Sequence, residues 1–200
     1  MRRSKNGFTF IEMVIVMSMF SLIGMTIYIT LSNGIKIWQR LNQTAAQEDI
    51  NIFFDRISRE LGNTFEFSAV SFQGGEDRIS FVNLLSASGL NQEEAGIGEV
   101  SYTYNKTNRY LTREERDYSQ IYKGDSGDVK ELLKDIDSLG FSYYFYDEEE
   151  KEYYWQEQWQ GKDFPLAVKI ELEFAYGRQL RKIVRTVDIP VAYPPASLND

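Results

Sequence analysis

Residues 2–28 read RRSKNGFTFIEMVIVMSMFSLIGMTIY, and this stretch decides the architecture. From Phe8 to Tyr28 the only charged side chain is Glu12. A helix of roughly 20 apolar residues rises about 30 Å, enough to span a bilayer core. Arg2, Arg3 and Lys5 stand just before it, and basic residues flanking a span stay in the cytoplasm. The run therefore predicts a single transmembrane helix over 8–28 behind a short basic leader, 1–7, with the head on the extracytoplasmic side. A secretory signal peptide would have a shorter apolar core and a small-residue cleavage site of the A-x-A kind, and none follows here.

Glu12 is out of place in such a helix. A carboxylate inside the membrane costs about 2–3 kcal/mol or more and normally has a partner. Cleavage after Gly7 would create one: a new ammonium on Phe8, four residues away on this chain or on a neighbour. Glycine at the cut lets an extended backbone approach a protease without side-chain obstruction.

The remaining composition narrows the function further. Hydrophobic residues at 42% and charged residues at 26% suit a folded domain rather than a disordered one. Thirteen Tyr and thirteen Phe favour a sheet-rich head. The formal charge is −8, and three of the 22 basic residues lie in the leader, so the body is more acidic still. Such a body is unsuited to binding nucleic acid through its phosphates. There is no Cys and no His. Disulfides, Ser-His-Asp or Cys-His nucleophiles and His/Cys zinc sites are thereby excluded.

Helical spacing continues past the membrane. Leu31, Ile35, Trp38, Leu41, Ala45, Ile52, Phe53, Ile57 and Leu61 follow helical spacing, and Gly62-Asn63 supplies a stop. One helix over roughly 8–61 is expected, its segment 29–62 an amphipathic continuation with an apolar stripe for the head. Gly24 and Gly34 each weaken it by about 1 kcal/mol relative to Ala and mark places where it could bend or melt. Beyond Gly62 the period becomes alternating. Strands are expected over 64–72, 77–84, 99–105, 108–113, 141–147, 166–175 and 180–189, with a hairpin turn at Tyr176-Gly177-Arg178. A short helix is expected over 128–138, a surface loop over 86–98 and a frayed tail from Pro194. The fold class is α+β: a long N-terminal helix packed on an antiparallel sheet in a head over 63–200.

The stretch Lys5-Asn6-Gly7-Phe8-Thr9-Phe10-Ile11-Glu12-Met13 resembles the processing site of type IV pilins and type II secretion pseudopilins. The resemblance implies a pilin-like fold, cleavage after Gly7 by a prepilin peptidase, N-methylation of Phe8, and pairing of Glu12 with a neighbouring subunit's amine during assembly. A narrower likeness lies in the second half: the strand Phe141–Asp147, then Trp155 and Trp159, then Phe164-Pro165-Leu166-Ala167-Val168. These resemble the J-type minor pseudopilin over roughly 8–60 and 132–191, although Glu148–Tyr154 and the Trp155-to-Trp159 spacing are looser than its simplest pattern.

That likeness implies a structural subunit at the tip of an inner-membrane pseudopilus. Its partners would be other minor pseudopilins, the major pseudopilin, the prepilin peptidase/methylase, the secretion platform and the lipid bilayer. A minor pilin of a type IV pilus or DNA-uptake filament shares the N-terminal code. A single-span protein with a ligand-binding or enzymatic head would keep its N-terminus uncut. No catalytic, cofactor or metal residue is expected. The acidic run Asp147–Glu150 with Glu152, Asp125 and Asp128 lacks EF-hand spacing and reads as a solvated hairpin. Gly124-Asp125-Ser126-Gly127 has no His to activate its serine and reads as a turn. Asp55-Arg56 and Arg59-Glu60 are placed to pair across a helical turn.

Overall fold

A computed structural model describes residues 9–68, 70–85, 96–160, 163–177 and 179–192, with the side chains of 39–45 left aside. Helix α1 runs Phe10–Gly62, unbroken at Gly24 and Gly34. Its apolar part, Phe10–Trp38, spans 29 residues at a mean hydropathy of 2.1. The chain divides into two compact units, Met1–Ala45 and Ala46–Asp200. In the first, the large side chains of Phe10, Phe20, Leu31, Ile35 and Trp38 are exposed.

The second unit contains the end of α1 and two antiparallel sheets. Strands β1 (Gln73–Gly74), β2 (Arg78–Leu85), β3 (Gly96–Asn105), β4 (Tyr110–Asp117) and β5 (Asp128–Leu133) lie side by side in chain order. The second sheet has the order β7-β6-β8-β9, with β6 Ile136–Asp147, β7 Glu152–Gln156, β8 Ala167–Tyr176 and β9 Gln179–Asp188. A short helix α2, Tyr118–Lys123, joins β4 to β5.

The two sheets share one core with the last turns of α1. Ile50, Phe53, Phe54, Ile57 and Leu61 are all buried in it. Burying each such side chain stabilises the fold by about 1.5–3 kcal/mol. Adjacent positions serve different sheets: Phe53 meets the Tyr102 ring of β3 edge-on at 5.9 Å, while Phe54 lies 5.2 Å beneath the Arg185 guanidinium of β9. Gly74 of β1 also meets Trp159, in the segment after β7, exchanging backbone hydrogen bonds of 2.8 Å each way. A Cβ at Gly74 would overlap the Tyr143 ring, so that contact requires glycine.

Several expectations need correction. The stripe on α1 is buried only from Ile50 onward; Ile52 is exposed, and Ile50 and Phe54 take inward positions instead. Leu41 and Ala45 fall among the side chains left aside. Segment 64–72 is no strand, holding only an isolated bridge between Phe67 and Val70. The helix expected over 128–138 is instead β5 and the start of β6, because pairing with β4 and burial of Leu133 and Ile136 outweigh local helical preference. Residues 96–98 belong to β3, whereas 86–95 and the tail from 193 lie outside the described residues. Gly177 adopts φ 66° at the β8–β9 hairpin, and Arg178 beside it is outside the description.

Candidate functional site

The N-terminal site begins at Thr9, since Gly7 and Phe8 lie outside the described residues. Thr9 stands just before α1 and Glu12 three residues later, the spacing of a capping box. The Thr9 backbone N–H donates to Glu12 Oε2 at 2.9 Å, and the Thr9 hydroxyl reaches the same oxygen at 3.0 Å. The Glu12 N–H in turn donates to Thr9 Oγ1 at 3.3 Å. The helix thus starts where the apolar run starts. Farther along, Ser18, Ser21, Thr26 and Thr30 donate their hydroxyls to carbonyls one turn back, at 2.8–2.9 Å. Those four hydroxyls therefore need no partner in hydrocarbon.

The other end of α1 is fastened into the head by polar contacts. Glu60 accepts from Tyr102 Oη at 2.6 Å, from Arg113 Nε at 3.2 Å and from Arg113 Nη2 at 2.8 Å. Arg113 also pairs with Glu115 at 2.7 Å. Burial, with the Glu60 charge beside it, pushes the Tyr102 phenol well above its ordinary range, so it remains a donor. Burial opposes the charge on Arg113, but hydrogen bonds to Glu115 and Glu60 outweigh it and raise its pKa. Asn83 Nδ2 donates to the Glu60 carbonyl at 2.8 Å, and Thr64 Oγ1 to the Val82 carbonyl at 2.9 Å. Instead of pairing within the helix as expected, Asp55 and Glu60 reach out to the sheets, Asp55 meeting Arg185 at 3.0 Å.

The discounted motifs have structural uses. Asp117 and Gln120 form a capping box on α2, and Gly124 ends that helix at φ 72°, so Gly124–Gly127 is a turn. Asp147 accepts from the N–H groups of Glu149 and Glu150 at 2.8 and 3.1 Å, folding the β6–β7 turn. Among the described residues no group of three or more carboxylates is arranged to hold a metal. A polar groove of about 650 Å³ lies beside Gly74, lined by Ser71, Arg78, Glu99, Arg116 and Trp159. Glu99 and Arg116 pair with each other there.

A capped, exposed apolar helix ahead of a separately packed head describes a membrane-anchored chain, and residues 2–28 match the prokaryotic N-terminal methylation motif. Residues 34–186 match the family model of type II secretion system protein J, and the chain belongs to that family of structural pseudopilins. The match takes in residues 61–131, which the sequence likeness had left out. Among curated proteins none matches the chain.

Proposed function

We propose that this pseudopilin is a minor subunit at the tip of the secretion pseudopilus, with a mechanical rather than catalytic role. It is cut after Gly7 by the prepilin peptidase, N-methylated on Phe8 and held in the inner membrane with its head in the periplasm. There it joins the other minor pseudopilins, the major pseudopilin and the secretion platform. The carrying observation is Glu12. Thr9 gives its Oε2 two hydrogen bonds but no positive charge, on an exposed helix one turn from the start. A cation is still required in a low-dielectric setting. The ammonium freed on a neighbouring Phe8 supplies one at the depth of Glu12 and favours a staggered dock.

Co-expression with an active prepilin peptidase tests the processing. Intact mass should show a chain beginning at N-methyl-Phe8, and Gly7→Arg should block the cut. Recovery of only the full-length chain rejects the scheme. For assembly, Glu12→Leu should still be inserted and cleaved, yet lose crosslinks to partner pseudopilins and support little secretion. Wild-type yields of both would show the charge to be dispensable.

A further inference from the structure

The outer face of the second sheet carries an aromatic surface that the head's own packing leaves open. Cross-strand register places Tyr144 opposite Trp155 and Tyr146 opposite Tyr153, so all four rings share one face of β6 and β7. Their centroids lie 4.9 Å apart for Tyr144–Trp155, 5.4 Å for Tyr144–Tyr153 and 4.9 Å for Tyr146–Tyr153. Core tyrosines of the same head are sealed: Tyr102 on β3 and Tyr143 on the inner face of β6 are 0% exposed. In this set Tyr146 is 42% exposed, Tyr153 58% and Trp155 42%. Clustered Tyr and Trp with open faces resemble the anchors of recognition surfaces more than spare core.

Two further observations give the occupant's chemistry. Lys169 on β8 already sits 5.0 Å above the Trp155 ring, so these ring faces accept a cation. The turn after β6 adds charge beside these rings: Glu148 and Glu149 are exposed there, whereas Glu150 and Glu152 are engaged by the Tyr154 hydroxyl on the opposite face. Negative charge beyond Tyr146 and Tyr153 would draw a second cation over those rings. Strand β7 is outermost in its sheet, which favours an extended occupant alongside it. We propose that this face docks an extended, basic segment of a partner protein, with Lys or Arg side chains over Tyr146 and Tyr153. The inference is independent of leader cleavage and of the charge pair at Glu12.

The test uses the full chain in detergent and three probes: a labelled peptide of alternating Arg and Thr, its Glu-Thr twin, and cellohexaose. The basic peptide should bind and the other two should not. Tyr153→Ala with Trp155→Ala should weaken binding by about tenfold or more, whereas Tyr153→Phe should keep it. Replacing Glu148 and Glu149 by Gln should weaken binding about threefold and flatten its salt dependence. If the double variant lowers the head's melting temperature, Tyr153→Ala alone serves, since that ring is largely outside the packing. Failure of the basic peptide to bind overturns the proposal. So does equal binding of the acidic peptide or preference for the sugar. Loss on charge removal with no effect of the ring variants would reduce the contact to diffuse electrostatics and overturn it as well.

Discussion

Two stretches of the same helix meet opposite fates. Between Phe10 and Trp38 large apolar side chains point in every direction and stay exposed: Phe20 is 70% accessible and Trp38 64%. Between Ile50 and Leu61 the apolar residues are fewer and set among charged ones, and all but the exposed Ile52 are buried to within 2% of completely. Helix propensity does not separate the two stretches. The difference lies in whether the apolar residues form one stripe that a single neighbour can cover. The head supplies that neighbour for the second stretch. Among the described residues none buries the first, whose length and hydropathy suit a membrane span.

The comparison can be broken most decisively by truncating one ring on each side. Phe53→Ala should destabilise the head by about 3–5 kcal/mol, through lost burial and the cavity left behind. Phe20→Ala should leave head unfolding within about 0.5 kcal/mol of the parent. Thermal melts of the full chain in detergent would show both, and equal effects would mean that the head also rests on the membrane stretch. A somewhat smaller loss is expected for Arg113→Met, about 3 kcal/mol, because Glu60 and Glu115 then lose the cation between them. Glu60→Gln in the same background should recover part of that loss. No recovery would separate the arginine's packing from its charge.

Asn83→Ala should cost about 1–2 kcal/mol, since it removes a donor to the Glu60 carbonyl and an acceptor for the Leu84 N–H. Hydrogen exchange should then accelerate in the last turn of α1 while β8 and β9 keep their protection. The smallest effect concerns pH. Hydrogen bonds from Lys182 and then Lys169 hold the Glu171 carboxyl below its ordinary 4.5. Its contribution is present above that ordinary value and disappears as pH falls through the lowered one. Glu171→Gln should therefore flatten the acid limb of the stability profile slightly. An unchanged acid limb would show that solvent screens this surface cluster.

How far the sequence could be read follows from the same contrast. The long apolar helix and the C-terminal hairpin were legible because each rests on a pattern that tertiary contacts leave alone. Strict alternation over Val168–Phe174 became β8, with Val168, Ile170, Leu172 and Phe174 buried. Asp128–Ser138 misled because Val129, Leu132, Leu133 and Ile136 sit at helical intervals. Hydrogen bonding to β4 decided otherwise, and Val129 remains exposed. Segment 64–72 alternates too, yet its Thr64 hydroxyl bonds to Val82 and its backbone makes no ladder. Helix α2 buries no residue, so it has no periodic signal, although its Asp117, Gln120 and Gly124 were readable as caps. The Thr9–Glu12 box has the same capping spacing in the sequence. The Glu60 contacts span 42 and 53 positions, to Tyr102 and Arg113, and no local pattern announces a pairing so distant.

The fastening of the last α1 turn also sets how this head carries load. Asn83 belongs to β2, Tyr102 to β3 and Arg113 to β4, three neighbouring strands, and all three hold the single residue Glu60. A pull along the helix near its end is therefore divided among three strands at once instead of peeling one away. Hydrogen bonds strained together resist far more than the same bonds opened in turn. Together with the buried Phe53, Phe54, Ile57 and Leu61, Glu60 ties the end of α1 to the sheets of the head.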